Sequence, residues 1–183
     1  KIVYDGLEVK SMAAFENMRN QIILVNGFSK TYAMTGWRLG YVFANKTIIE
    51  EVNKVIQTST TCPASFVQKA GIAALRGPQD CVTKMVEEYD RRRGFIVEKL
   101  NEMPGIHCEM PRGAFYVFPD LSSLNMSSSE ISMRMLERCG VCSTAGSVFG
   151  KYGESYIRFS YATSMEVISE AMEKVREFVL RVS

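Results

Sequence analysis

The sequence predicts an α/β chain in which short strands and longer helices interleave. Three observations predict it. Residues 22–25 form a short apolar run bounded by Asn20 and by Asn26-Gly27, the pattern of a buried strand. Residues 47–56 carry Ile48, Ile49, Val52, Val55 and Ile56 at helical spacing. Residues 156–161 alternate Ile157, Phe159 and Tyr161 on one face against Tyr156, Arg158 and Ser160 on the other.

The remaining elements follow in order. Residues 37–44, rich in aromatic and β-branched side chains, predict a second strand. Residues 59–63 break the first helix, and a second helix over 64–75 ends at Gly77-Pro78. A long, charged, amphipathic helix spans 79–103, with Val82, Met85, Val86, Tyr89, Phe95, Ile96 and Leu100 for packing, and Pro104-Gly105 stops it. Strands are expected at 106–110 and 114–118, joined by Pro111-Arg112-Gly113. A helix over 127–139 has serines to cap it and Gly140 to end it. A short strand at 141–144 and a final helix from Ser164 to about residue 182 complete the chain.

The totals bound the partners. The 183 residues are 46% hydrophobic and 23% charged, enough for one large domain or two small ones. A net charge of +2 argues against nucleic acid or an anionic membrane as partner. No apolar run approaches the ~20 residues of a spanning helix, no secretory signal is visible, and a cytoplasmic protein is expected. The basic triplet at 91–93 stands beside Glu87, Glu88 and Asp90, which predicts a solvated helix face. Five cysteines at irregular spacing, with Cys139 and Cys142 as an isolated C-x-x-C, predict buried reduced thiols. A single histidine, His107, reads as structural or surface and excludes multi-His metal sites and a His-based triad within this chain.

Chemistry concentrates in "NGFSKTYAMTGWRLGY", residues 26–41. Lys30 follows directly on an apolar strand, where partial desolvation lowers the pKa of an amine and makes it nucleophilic. Arg38 offers a planar fork for phosphate or carboxylate. Gly27, Gly36 and Gly40 permit positive φ or close backbone approach. Together they suggest an anionic ligand, although neither a P-loop nor a G-x-G-x-x-G is present. On periodicity alone a solvated loop lysine is the better reading. Arg158, on the polar face of its strand, reads first as a structural ion pair or an edge-strand arginine, and second as a two-point clamp for a substrate carboxylate. In "RGAFYVFPDL", residues 112–121, the aromatic strand reads as core and Gly113 as a point of close approach.

Residues 26–41 resemble the cofactor-lysine segment of the pyridoxal-phosphate-dependent aspartate aminotransferase family (fold type I, class I/II). "STTCPASFVQKAGIAAL", "EYDRRR", "PRGAFYVFPDL", "AGSVFG" and "YIRFSYATS" resemble further motifs of that family, in the same order and across essentially the whole chain. The resemblance implies that Lys30 forms the Schiff base with pyridoxal 5'-phosphate, that Arg38 clamps the cofactor phosphate, and that Arg158 binds the substrate α-carboxylate. It implies amino transfer from an L-amino acid, aspartate or aromatic, to 2-oxoglutarate, in a homodimer, with no metal. A lyase or synthase of the same fold, or a non-catalytic fragment, are the alternatives. Two positions depart from the pattern: Gly27 stands where many relatives carry a phosphate-binding Ser, and Ala145 where Pro is usual. Asp5 is not the family's pyridine-nitrogen Asp, since no Tyr stands three residues on. That Asp and its Tyr are expected upstream of Lys1. The chain thus resembles the C-terminal half of such an enzyme and is expected to be inactive alone. Residues 1–80 are expected to end the large cofactor domain, and 81–183 to form a bridging helix and a small α+β domain.

Overall fold

The computed structural model describes residues 1–182. Two compact units divide the chain. One holds Lys1 and Gly6–Met85, and the other holds Ile2–Asp5 and the residues from Val86 onward.

The first unit contains β1 (Leu24–Gly27), β2 (Gly40–Phe43), α1 (Lys46–Ser59), α2 (Ser65–Arg76) and the start of α3 (Asp80–Asn101). β1 and β2 pair antiparallel, with Leu24 opposite Phe43 and Gly27 opposite Gly40. Residues 22–25 were expected to form a buried strand, yet only Ile22 is buried; Ile23 and Val25 are exposed. β1 pairs with β2 alone among the described residues, and no element shields Ile23 or Val25 from solvent. The second strand is shorter than expected, because residues 35–37 form a 3₁₀ turn. α1 begins where Asn45 accepts the Ile48 N–H at 3.0 Å. Its apolar stripe is half-buried apart from Val55, which is exposed.

The second unit is built around β5 (Ile157–Ser160), the middle strand of an antiparallel sheet ordered β3 (Tyr116–Val117), β5, β4 (Thr144–Ala145). Its alternation reads as expected: Ile157 and Phe159 point into the core with Tyr161, while Arg158 lies on the other face. α4 (Ser128–Cys139), α5 (Met165–Val182) and the later turns of α3 supply the rest of the core, including Ile96, Leu100, Ile131, Met135, Met172 and Val179. Ser127 caps α4 by accepting the Glu130 N–H at 3.2 Å, and Gly140 ends it at φ +67°.

Several expectations are corrected here. Residues 106–110 form no strand; they make one isolated bridge, His107 to Asp120. The short strand expected at 141–144 sits at Thr144–Ala145 instead. The basic triplet is a solvated face only in part: Arg91 is exposed and pairs with Glu88 at 2.9 Å, as does the half-buried Arg92 at 2.8 Å. Arg93 is buried, held by Asp5 (2.7 and 2.8 Å), Asp90 (2.7 Å) and the Pro111 carbonyl (2.8 Å), with its guanidinium 4.3 Å from the Tyr4 ring centroid. The five cysteines are free, but only Cys108 is buried, and burial pushes its thiol up to about 11. His107 is exposed, as a surface residue should be, and pairs with Glu109 at 2.9 Å.

Candidate functional site

Lys30 and Arg38 occupy one loop, between β1 and β2. A Cβ at Gly40 would lie 3.1 Å from the Asn26 carbonyl oxygen, so glycine lets the two strands close tightly at the loop's base. The Phe28 N–H donates to the Leu39 carbonyl at 3.1 Å, sealing that base. Phe28 itself is buried, with the rings of Tyr32 and Tyr41 at 5.7 and 5.8 Å. Thr35 ties the two cationic positions together: its hydroxyl donates to the Ser29 carbonyl at 3.1 Å, and its own carbonyl accepts from Arg38 Nη1 at 3.1 Å.

Of the two roles expected of the loop glycines, close backbone approach is met at Gly40, while positive φ falls to other residues. Gly27, Gly36 and Gly40 do not take positive φ; Ala33 (+51°) and Arg38 (+53°) do. A left-handed conformation costs a non-glycine residue about 1–2 kcal/mol. The Thr35 hydrogen bonds hold Arg38 there, and its guanidinium stays exposed with no acidic partner among the described residues. Strain maintained around a cation suits a binding role. Lys30 lies in the turn after β1 and is an exposed residue.

Arg158 belongs to the other unit. Both of the simpler readings of this residue fail. It is on the middle strand, not an edge, and among the described residues no Asp or Glu pairs with it. Thr144, directly opposite on β4, accepts from Nη2 at 3.2 Å. Tyr116 on β3 pairs with Ser160, two residues along β5, and therefore shares the face of Arg158. The guanidinium lies 4.4 Å from the Tyr116 ring centroid and 5.1 Å from that of Phe149. It is half-buried.

Sequence reasoning missed Thr144, Tyr116 and Phe149. The signal for Tyr116 was its place in an alternating aromatic strand whose other residues, Phe115 and Val117, are core. A second cluster was also missed. Tyr4 and Tyr161 both donate to the Ala114 carbonyl, Tyr161 at 3.1 Å, and burial raises the pKa of both phenols. Gly113 is the close approach expected of it, since a Cβ there would lie 3.1 Å from the Ile2 carbonyl oxygen. A cavity of about 260 Å³ in the second unit, lined by Cys142, Thr163 and the Glu170–Lys174 pair among others, contains none of the three expected site residues.

Residues 1–175 match the family model described as aminotransferase class I and II. The chain is 46% identical over 181 residues to an aspartate aminotransferase of Pyrococcus abyssi, covering 98% of this chain and 46% of that protein. It is 42% identical over 177 residues to aromatic-amino-acid aminotransferase 2 of Thermococcus litoralis, covering 96% and 45%. The solved aspartate aminotransferase of Rhizobium meliloti superposes with a TM-score of 0.94 at 36% identity, covering all of this chain and 48% of that one. The aromatic aminotransferase of Pyrococcus horikoshii superposes with a TM-score of 0.93 at 43% identity, covering 98% and 48%. The chain therefore spans about half the length of these relatives. Its motifs, its mixed helix and sheet architecture and the family model agree: the chain belongs to the class I and II aminotransferase family, with part of the fold type I architecture.

Proposed function

We propose that this chain is part of a pyridoxal-phosphate-dependent aminotransferase that moves an amino group from an L-amino acid, aspartate or aromatic, to 2-oxoglutarate. The observation that carries the proposal is Arg158. A half-buried guanidinium on a middle strand, with no acidic partner among the described residues, calls for an anion from outside the protein. An α-carboxylate matches its fork in shape and charge. The names of the relatives supply aspartate and aromatic amino acids as donors, and the family resemblance supplies 2-oxoglutarate as acceptor.

The loop residues fit the cofactor. Lys30 would hold it through its aldehyde, and Arg38, whose donors are not spent on any acid among the described residues, would hold its phosphate. When bound, pyridoxal phosphate withdraws electrons from the substrate Cα. With it in place, Lys30 would hold and move the proton at that carbon. Arg158 orients the substrate through its carboxylate. In this proposal residues 1–80 end the cofactor domain, residues 81–183 form the bridging helix and small domain, and the full-length protein works as a cytoplasmic homodimer.

The test is a coupled assay on the full-length protein with added cofactor, aspartate or an aromatic amino acid, and 2-oxoglutarate. Amino transfer is expected. Arg158→Lys keeps a charge but loses the planar fork, so catalytic efficiency should fall on the order of a hundredfold while cofactor absorbance is preserved. Release of ammonia and a 2-oxo acid without an amino acceptor would contradict the proposal.

A further inference from the structure

The "AGSVFG" stretch has no role in the chemistry above, yet the structure puts its phenylalanine on the substrate-binding arginine. A Cβ on Gly146 would collide with the Gly153 carbonyl, so the turn closes on itself only with glycine at both positions. The Gly146 N–H donates to the Tyr156 carbonyl at 2.8 Å, and the Ser147 N–H donates to Ser128 Oγ at 3.2 Å. These contacts fix a 3₁₀ turn, Gly146–Phe149, that ends with the Phe149 ring 5.1 Å from the Arg158 guanidinium carbon.

We propose that Phe149 and Tyr116 are positioning residues for Arg158: their rings hold the guanidinium in place by its π surface and leave its in-plane N–H groups for the substrate carboxylate. The proposal rests on Arg158 binding that carboxylate. An acidic side chain would also orient the arginine, but it would occupy the fork and cancel the charge needed for substrate. Aromatic rings attract the cation without using any of its donors. Only one N–H, on Nη2, is given to Thr144; the others have no protein partner among the described residues.

The rings are themselves supported. Tyr116 packs at 4.6 Å on Phe115, which stacks at 5.5 Å on Tyr89 of α3. Phe149 meets the edge of Phe118 at 5.8 Å, and Phe118 stacks on Tyr156 at 5.0 Å and 11°. Phe149 nevertheless remains 54% exposed. An apolar ring left in solvent over a cation, at the end of a turn that tolerates only glycine at its pinch, is accounted for by the arginine it faces. The same exposure means that Phe149 can be replaced without opening a cavity in the core.

The test uses the full-length protein with cofactor. Phe149→Ala should raise KM for both the amino donor and the oxo acid about five- to tenfold while kcat changes less than about twofold. Phe149→Tyr, which keeps the ring, should stay within about twofold of the parent. In an Arg158→Gln background, Phe149→Ala should add nothing, because the two act as a unit. A fall in kcat with KM unchanged, or an equal Phe149→Ala loss with and without Arg158, would overturn the proposal. If the parent shows no amino transfer, succinate binding by calorimetry separates the two claims. Succinate binding weakened by Phe149→Ala sustains the aromatic support of Arg158. Equal binding by both proteins, or none by the parent, overturns it.

Discussion

The two units treat their apolar side chains in opposite ways. Among the described residues, the second closes a core of twenty-one buried residues, from Ile96 to Val179. In the first, Ile22, Phe28, Met34, Val67 and Val82 are buried, while Ile23, Val25, Trp37, Phe43, Phe66, Ile72 and Leu75 are exposed. The expected site residues follow the same division: Arg158 sits on the middle strand of the enclosed unit, and Lys30 and Arg38 sit on a loop of the open one. What orients each differs accordingly. Arg158 is placed by sheet register and ring contacts. Arg38 is placed by local hydrogen bonds around Thr35 that hold a left-handed backbone.

The contrast can be broken from either side. The largest effect is expected in the enclosed core. Ile157→Ala removes a fully buried side chain and should lower unfolding free energy by about 3 kcal/mol in urea titrations. The next is Arg93→Ala, which strips Asp5, Asp90 and the Pro111 carbonyl of a shared buried partner. It should cost about 2 kcal/mol, less than a fully buried pair because both carboxylates are half-exposed.

A smaller, pH-dependent effect sharpens the picture. Hydrogen bonds from Arg91 and Arg92 hold Glu88 down at about 2, against an ordinary value of 4.5, and the Arg93 guanidinium lowers Asp5. Both carboxyls have folded values below their unfolded ones. Their contribution is therefore fully present above the unfolded value and is lost as pH falls through the folded one. Stability of the second unit should decline between about pH 4.5 and pH 2, and Arg93→Ala should flatten the part due to Asp5. Denaturant midpoints measured across that range check the sign; a rise on acidification would contradict it. The smallest effect is expected at Val25, 73% exposed on β1: Val25→Thr should change stability by less than about 0.5 kcal/mol. A loss of 2 kcal/mol or more there would show that the first unit's apolar face is covered in solution.

How far the sequence could be read follows the same line. A helix with its own cap and stop was legible: Ser127 and Gly140 stand where α4 begins and ends. The alternation of β5 was legible because one of its faces is fully buried. The strand expected at 106–110 was not, since pairing depends on a distant partner and the apolar pattern carries no record of one. Arg93 was misread because its partner Asp5 lies eighty-eight residues away. At the site, Lys30, Arg38 and Arg158 stood out by residue type and motif. Phe149 did not, because no periodicity shows that the turn it ends, pinched where Gly146 meets Gly153, brings its ring onto Arg158.

In the proposed function Lys30 is the residue to which the cofactor attaches. Borohydride reduction of the full-length protein with bound pyridoxal phosphate, followed by peptide mapping, tests it most directly. The label should appear on the peptide that carries Lys30 and should vanish in Lys30→Ala. A label on any other lysine, or the same label persisting in Lys30→Ala, would contradict the account.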